Sequence, residues 1–230
     1  MASSYLSDSE YANQRKELLT LMNQLRSVGA QGELDLPRIA VIGNQSAGKS
    51  SVVEAISGIN VPRDSGTCTR CPLECRLVSA PEWACRISIR REFDFMGRRL
   101  AEVSEIPFGD LIRNRTEVEM MLRRAQLAVL DPGAEITRIM RMNLEELKEK
   151  LQDGRTAEFS RNVVCIDLEG PELTDVQFVD LPGIIQNASP AAIRLVEDMV
   201  VDNIRGNCLI FGGDSDDRRH RKSESHDVGS

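Results

Sequence analysis

The stretch Gly43-Asn44-Gln45-Ser46-Ala47-Gly48-Lys49-Ser50-Ser51 constrains this chain more than any other. Gly, four residues, Gly-Lys-Ser is the pattern of a phosphate-cradling loop. It lies between an apolar run, Ile39-Ala40-Val41-Ile42, and a helix-compatible one, Val52 to Ile56. The two glycines let successive backbone N–H groups turn inward around phosphate oxygens, and the following helix aims its positive end at the same point. Lys49 then reaches the terminal phosphates, and Ser50 offers its hydroxyl to Mg²⁺. Such a strand, loop and helix predict an α/β fold.

A second signal is expected where another buried strand ends. Val176 to Asp180 reads as a strand running into Asp180-Leu181-Pro182-Gly183. There Asp180 can hold Mg²⁺ through water, and the N–H of Gly183 can sense the terminal phosphate. Between the two signals, Val61 to Arg70 is a polar loop with proline and glycine, of the kind in which a threonine closes on Mg²⁺ and the attacking water. Thr67 and Thr69 are both candidates.

Around these signals the chain reads in order as follows. Glu10 to Val28 is helical, with Leu18, Leu21, Met22, Leu25 and Val28 forming a stripe that must bury on the core or on helices from elsewhere in a longer protein. Ile39 to Ile42 has the unbroken apolar character of a strand covered on both faces, and Lys49 to Ser57 is the first helix, stopped by Gly58. Cys71 to Val78 and Trp83 to Phe93 read as strands, the latter alternating Arg86, Ser88 and Arg90 with Cys85, Ile87 and Ile89. Asn114 to Leu130 is expected to be helical, with Thr116 and Glu119 as a capping box, and Asn143 to Leu151 is a short charged helix. Val163 to Leu168 and Val176 to Asp180 are expected to pair as a hairpin through Glu169-Gly170-Pro171. Ser189-Pro190 caps a helix from Ala191 to Ile204, and Asn207 to Phe211 begins another apolar strand. Gly212 to Ser230 is too polar to order itself and is expected to be disordered.

Composition excludes several classes. The 230 residues suffice for one good core, and 41% hydrophobic with 28% charged residues are the proportions of a soluble globular protein. A net charge of -7 gives no general affinity for nucleic acid. No stretch approaches the roughly 20 apolar residues of a membrane span. Met1-Ala2-Ser3-Ser4-Tyr5 lacks the layout of a signal peptide, so a cytoplasmic location is expected. In that compartment the six cysteines are expected to be free thiols. Cys68, Cys71, Cys75 and Cys85 cluster but lack a paired second Cys-x-x-Cys. The histidines, His220 and His226, lie in the tail, so small residues alternating in a strand explain Cys71, Cys75 and Cys85 as well as zinc does.

With both phosphate signals placed, the sequence resembles the GTPase domain of the dynamin superfamily, closest to the Mx-like and dynamin-like large GTPases. The carriers are Leu36-Pro37-Arg38 and the run from Ile39 to Ser51, then Val61-Pro62-Arg63-Asp64-Ser65-Gly66-Thr67-Cys68-Thr69-Arg70-Cys71-Pro72-Leu73, and Asp180-Leu181-Pro182-Gly183-Ile184. The likeness covers about Glu10 to Phe211. It implies a P-loop GTPase-like three-layer sandwich, a Ras-like core with dynamin-type insertions, incomplete at the C-terminus. Its divisions would be a bundle-type N-terminal helix (1–33), a partial GTPase domain (34–211) and a tail (212–230).

The resemblance also implies GTP binding and Mg²⁺-dependent hydrolysis. Nucleotide contacts would come from Gly43, Asn44, Gln45, Ser46, Ala47, Gly48, Lys49, Ser50, Ser51, Arg63, Gly66, Thr69, Asp180 and Gly183. Ser50, Thr69 and Asp180 would serve the metal. Gln45 resembles the residue that orients the catalytic water, and Ser46 the one that helps place a monovalent cation, K⁺ or Na⁺; Thr69 and Gly183 complete the catalytic set. In the family that cation replaces an arginine finger when two GTPase domains meet face to face. Self-association through that face is therefore implied, and association with microtubules or membrane by family likeness alone.

Two departures are visible: Asp64 stands where the family usually has glycine, and no Thr-Lys-x-Asp, the family's guanine-reading motif, follows the strand at Asn207 to Phe211. The expectation is a chain truncated before that motif, which discriminates guanine from adenine poorly and turns over slowly. A non-catalytic fragment that docks on full-length relatives is the alternative. An unrelated phosphate-loop ATPase is a third, disfavoured by Gln45-Ser46 and by the loop before Thr69.

Overall fold

The computed structural model describes residues 14, 17–21, 24–25, 38–44, 48–62, 69–94, 96–183, 189–205 and 208–213. Of the expected N-terminal helix, residues 17–21 and 24–25 are helical, with Leu18 and Leu21 exposed. The remaining elements are β1 (Arg38–Gly43), α1 (Lys49–Ser57), β2 (Leu73–Ser79), β3 (Ala84–Phe93), β4 (Arg99–Pro107), α2 (Val118–Leu130), α3 (Ile136–Arg141), α4 (Leu144–Gln152), β5 (Val163–Gly170), β6 (Val176–Asp180), α5 (Pro190–Ile204) and β7 (Cys208–Gly213).

The strands form one seven-stranded sheet in the order β4-β3-β5-β2-β6-β1-β7. Strand β1 runs parallel to both its neighbours, β6 and β7, which accounts for its unbroken apolar sequence. Strand β2 is parallel to β5 and antiparallel to β6, and β3 is antiparallel to β5 and β4.

The expected β5–β6 hairpin is not formed. Strand β2 lies between them, and the short connection crosses its end: the amide of Ala80 donates to the Gly170 carbonyl, and that of Ser79 to Asp175. The local turn signal was real, but inserting β2 gives both strands a full ladder of partners. The expected capping box is also replaced. A 3-10 turn, Arg115–Glu117, precedes α2, and Asn114 accepts the Thr116 amide. Glu119 instead holds Arg123 one turn on, at 2.9 Å. Asn143 and Glu146 do form a capping box at α4. Strand β4 was not foreseen, and β7 extends two residues beyond Phe211; residues 214–230 lie outside the described residues.

One face of the sheet is apolar. Cys75, Leu77, Ile87, Ile89, Ile166, Leu168 and Phe178 pack with Val53 of α1 and with Val118, Leu122 and Ala125 of α2 in the main core. On the other face α5 lays Val200 over Ala40, Val179 and Leu181.

Cross-strand partners share a face, so Glu74, opposite Val179, also lies on this second side. There β2, β3, β4 and β5 carry a buried ion network. Arg76 binds Glu105 through two bonds of 2.8 Å and Glu74 through one of 2.8 Å; Arg90 binds Glu74 at 2.8 Å and Glu92 at 2.9 Å. Burial opposes the charge on Glu105, but the hydrogen bonds and charge of Arg76 outweigh it and hold the carboxyl below its usual range.

Candidate functional site

The phosphate loop's two glycines adopt backbones that other residues resist: φ is 149° at Gly43 and 82° at Gly48. A Cβ on Gly48 would meet nothing within 4 Å, so the demand there is conformational rather than steric. Gly48 is also the N-cap of α1. Among the described residues no side chain caps this end, and the first turn carries no acid. The N-termini of α4 and α5, by contrast, are closed by Asn143 and Ser189. Helix α1 therefore presents an uncapped positive end, as an anion site requires.

Lys49 is buried at the start of α1. Its ammonium donates to the carbonyls of Gly43 at 3.1 Å and Asn44 at 3.0 Å. Ser50 follows in the same turn, half-buried, and Ser51 is exposed. From across the sheet, Asp180 arrives at the end of β6, opposite Val41 of β1. Its carboxylate is 1% exposed. Thr69 Oγ1 donates to Asp180 Oδ2 at 3.1 Å, while Asp180 Oδ1 is buried without a hydrogen-bond partner.

Burial drives the Asp180 carboxyl up to about 7, although the Lys49 charge and the Thr69 hydroxyl pull the other way. Such an orphaned oxygen is costly unless a donor or cation completes it. A small cavity lined by Val61, Thr69, Cys71, Leu122, Gln126 and Asp180 opens beside it. The donor set is all oxygen: two hydroxyls on Ser50 and Thr69, and a carboxylate. That suits a hard divalent cation such as Mg²⁺ bound partly through water.

Gly43, Asn44 and Lys49 are thus joined by hydrogen bonds, Thr69 and Asp180 by another, and the Lys49 charge acts on Asp180; Ser50 follows Lys49 in sequence, and Gly183 is buried three residues beyond Asp180. Gln45, Ser46, Ala47, Arg63, Asp64, Gly66, Thr67 and Cys68 lie outside the described residues. Cys71, Cys75, Cys85 and Cys165 are free and buried, and burial pushes the Cys71 and Cys85 thiols up to about 12, keeping them protonated. Among the described residues no group of three or more His, Cys, Asp or Glu could hold a metal, and no helix is long and apolar enough to cross a membrane.

One residue of this neighbourhood was not singled out from sequence. Arg70, beside Thr69, gives its guanidinium to three backbone carbonyls. The only sequence signal for it was its place in the Thr69-Arg70-Cys71-Pro72 tract.

Comparison with known proteins agrees with this geometry. The model of the dynamin family matches residues 39–212. The chain is 31% identical over 196 residues to the interferon-induced GTP-binding protein Mx of Dicentrarchus labrax, covering 84% of this chain and 24% of that protein. It is 34% identical over 182 residues to the interferon-induced GTP-binding protein Mx2 of Canis lupus familiaris (78% and 20%). It is also 34% identical over 183 residues to the interferon-induced GTP-binding protein Mx1 of Equus caballus (78% and 22%). The chain spans between a fifth and a quarter of the length of these relatives. A phosphate loop and an aspartate at the ends of the parallel strands β1 and β6, with a threonine bonded to that aspartate, together with these matches place the chain in the dynamin family.

Proposed function

We propose that this chain binds GTP with Mg²⁺ and hydrolyses its terminal phosphate bond. The observation that carries the reading is the half-satisfied Asp180, with one oxygen on Thr69 and the other unpartnered beside the uncapped start of α1. Ser50, Thr69 and, through water, Asp180 would hold Mg²⁺, which would disperse the charge of the phosphates. Lys49 would exchange the Gly43 and Asn44 carbonyls for phosphate oxygens, which the amides at the start of α1 would also meet. Thr69 would release Asp180 and turn its hydroxyl toward the metal.

By family likeness, Gln45 orients the attacking water, Ser46 places a monovalent cation, and Arg63 and Gly66 line the nucleotide. Guanine as the base follows from relatives named GTP-binding proteins. Self-association through the nucleotide face, a cytoplasmic location, and contact with membrane or microtubules belong to the same reading, as does the division into residues 1–33, 34–211 and 212–230.

Titration of the purified chain with GTP and ATP tests this. Saturable, Mg²⁺-dependent binding is expected, lost at least about 100-fold in Lys49→Ala, while Thr69→Ala keeps binding and loses hydrolysis. Equal losses in both variants contradict the assigned roles.

A non-catalytic reading is favoured by one feature. Leu209, Ile210 and Phe211 of edge strand β7 are more than half exposed, which suits docking on a longer relative. Co-purification with such a relative and no phosphate release would select it.

A further inference from the structure

Arg70 stands next to Thr69, yet its side chain turns away from the phosphate site. Its guanidinium donates to Leu151 O at 2.9 Å, Ala157 O at 2.8 Å and Glu158 O at 2.8 Å, and its own carbonyl accepts the Ser160 amide at 3.0 Å. All four contacts fall on one segment, residues 151–161. A lysine, with a point charge on a flexible stem, could not reproduce that planar fork.

The other side of this segment belongs to α5. Phe159 is buried with Ala192, Val196 and Met199. Ser189, which caps α5 by accepting the Ala192 amide, donates its hydroxyl to Glu158 Oε2 at 3.4 Å. Arg161 pairs with Asp202 at 3.0 Å and Asp198 at 3.7 Å. A third anchor, from the Ala157 amide to the Leu130 carbonyl at 3.0 Å, ties the segment to the end of α2. Residues 151–161 therefore grip both the chain leaving Thr69 and the helix that follows the Asp180–Gly183 turn.

We infer that residues 151–161 form a strap that makes these two segments move as one, with Arg70 the positioning residue that sets where Thr69 can turn. The inference rests on the proposed function for its purpose, since the two segments are those that would meet the metal and the terminal phosphate. In its mechanical part it needs no nucleotide. Thr69 must trade the Asp180 carboxylate for the metal; with Arg70 clamped, that trade is a rotation within one residue rather than a rearrangement of the whole loop. The strap carries any remaining displacement to the first turn of α5.

Amide hydrogen exchange on the nucleotide-free chain decides the mechanical part. Arg70→Gln is expected to speed exchange roughly tenfold or more at residues 157–160 and also at residues 192–196, with β2 and β5 unchanged. Arg161→Gln, cut from the α5 side, is expected to speed exchange at Arg70 and Cys71, and it decides the matter should Arg70→Gln fold poorly. Changes confined to each variant's own side of the strap overturn the inference.

Nucleotide titration then separates positioning from a merely structural role. Arg70→Gln is expected to keep its Mg²⁺-free GTP affinity within about threefold and to lose about tenfold in the gain that Mg²⁺ confers. Equal loss in both conditions overturns the positioning role. A wild-type chain that bound no GTP would count against the proposed function, leaving the exchange result to stand for the strap.

Discussion

Two buried carboxylates in the same sheet, Glu74 and Asp180, are treated in opposite ways. Glu74, 4% exposed on β2, has Oε1 met by Arg76 and Gln177 and Oε2 by Arg90. Asp180, 1% exposed on β6, has one oxygen met by a neutral hydroxyl and the other by nothing. The difference separates structure from function. A carboxylate closed by guanidinium groups is finished when the chain folds, whereas one left half-satisfied against a cavity stores a cost that only a further ligand removes.

The largest expected effect breaks the closed site. Arg90→Ala removes a buried guanidinium partner of Glu74 Oε2 and of Glu92 and breaks the network there, and should cost about 3–5 kcal/mol in denaturant unfolding. A loss below about 1 kcal/mol would mean that water enters the network freely and that the contrast with Asp180 is overdrawn.

The open site should answer to pH instead. Its folded carboxyl titrates at about 7, above the ordinary aspartate value of 3.8. The folded state therefore binds this proton more tightly than the unfolded chain does. Its contribution to stability is complete below the unfolded value and is lost as pH rises through about 7. Nucleotide-free Asp180→Asn should lack that part of the decline and, at about pH 8, should melt no lower than wild type. A variant that melts well below wild type at that pH would mean that the charged carboxylate is already well solvated.

The smallest effect gives the control. Arg113 and Glu82 pair at 3.2 Å with both side chains more than half exposed, and Arg113→Ala should change stability by no more than about 0.5 kcal/mol.

The open site was far more legible in the sequence than the closed one. Phosphate-loop chemistry is written in consecutive residues. Gly43, Gly48 and Lys49 are needed at fixed spacing, and Gly58, with φ 67°, stops α1 where expected. Asp180 was legible because it ends an apolar strand, and Ser189-Pro190 because a cap acts within one turn.

The ion network is written across β2, β3, β4 and β5, with the neutral Gln177 of β6 bonded to Glu74. Arg76 and Glu105 are far apart in sequence, and nothing local marks Ser88 or Arg90 as buried rather than solvated. Strand β4 was missed for a related reason. As an edge strand its residues are mostly exposed whichever way they face, so no period-2 pattern marks them. The β5–β6 hairpin failed because turn chemistry fixes a reversal of direction but not which strand fills the space between. Arg70 escaped notice because its partners are backbone carbonyls, which leave no trace in side-chain identity.

The most direct measurement of the central claim is the gain in GTP affinity conferred by Mg²⁺, followed from about pH 6 to about pH 8 in wild type and in Asp180→Asn. An Asp180 carboxylate that awaits a cation predicts a gain that grows as the carboxyl loses its proton and levels off above about pH 7, and a small, flat gain in the variant. A gain that ignores pH in wild type, or survives unchanged in Asp180→Asn, would contradict it.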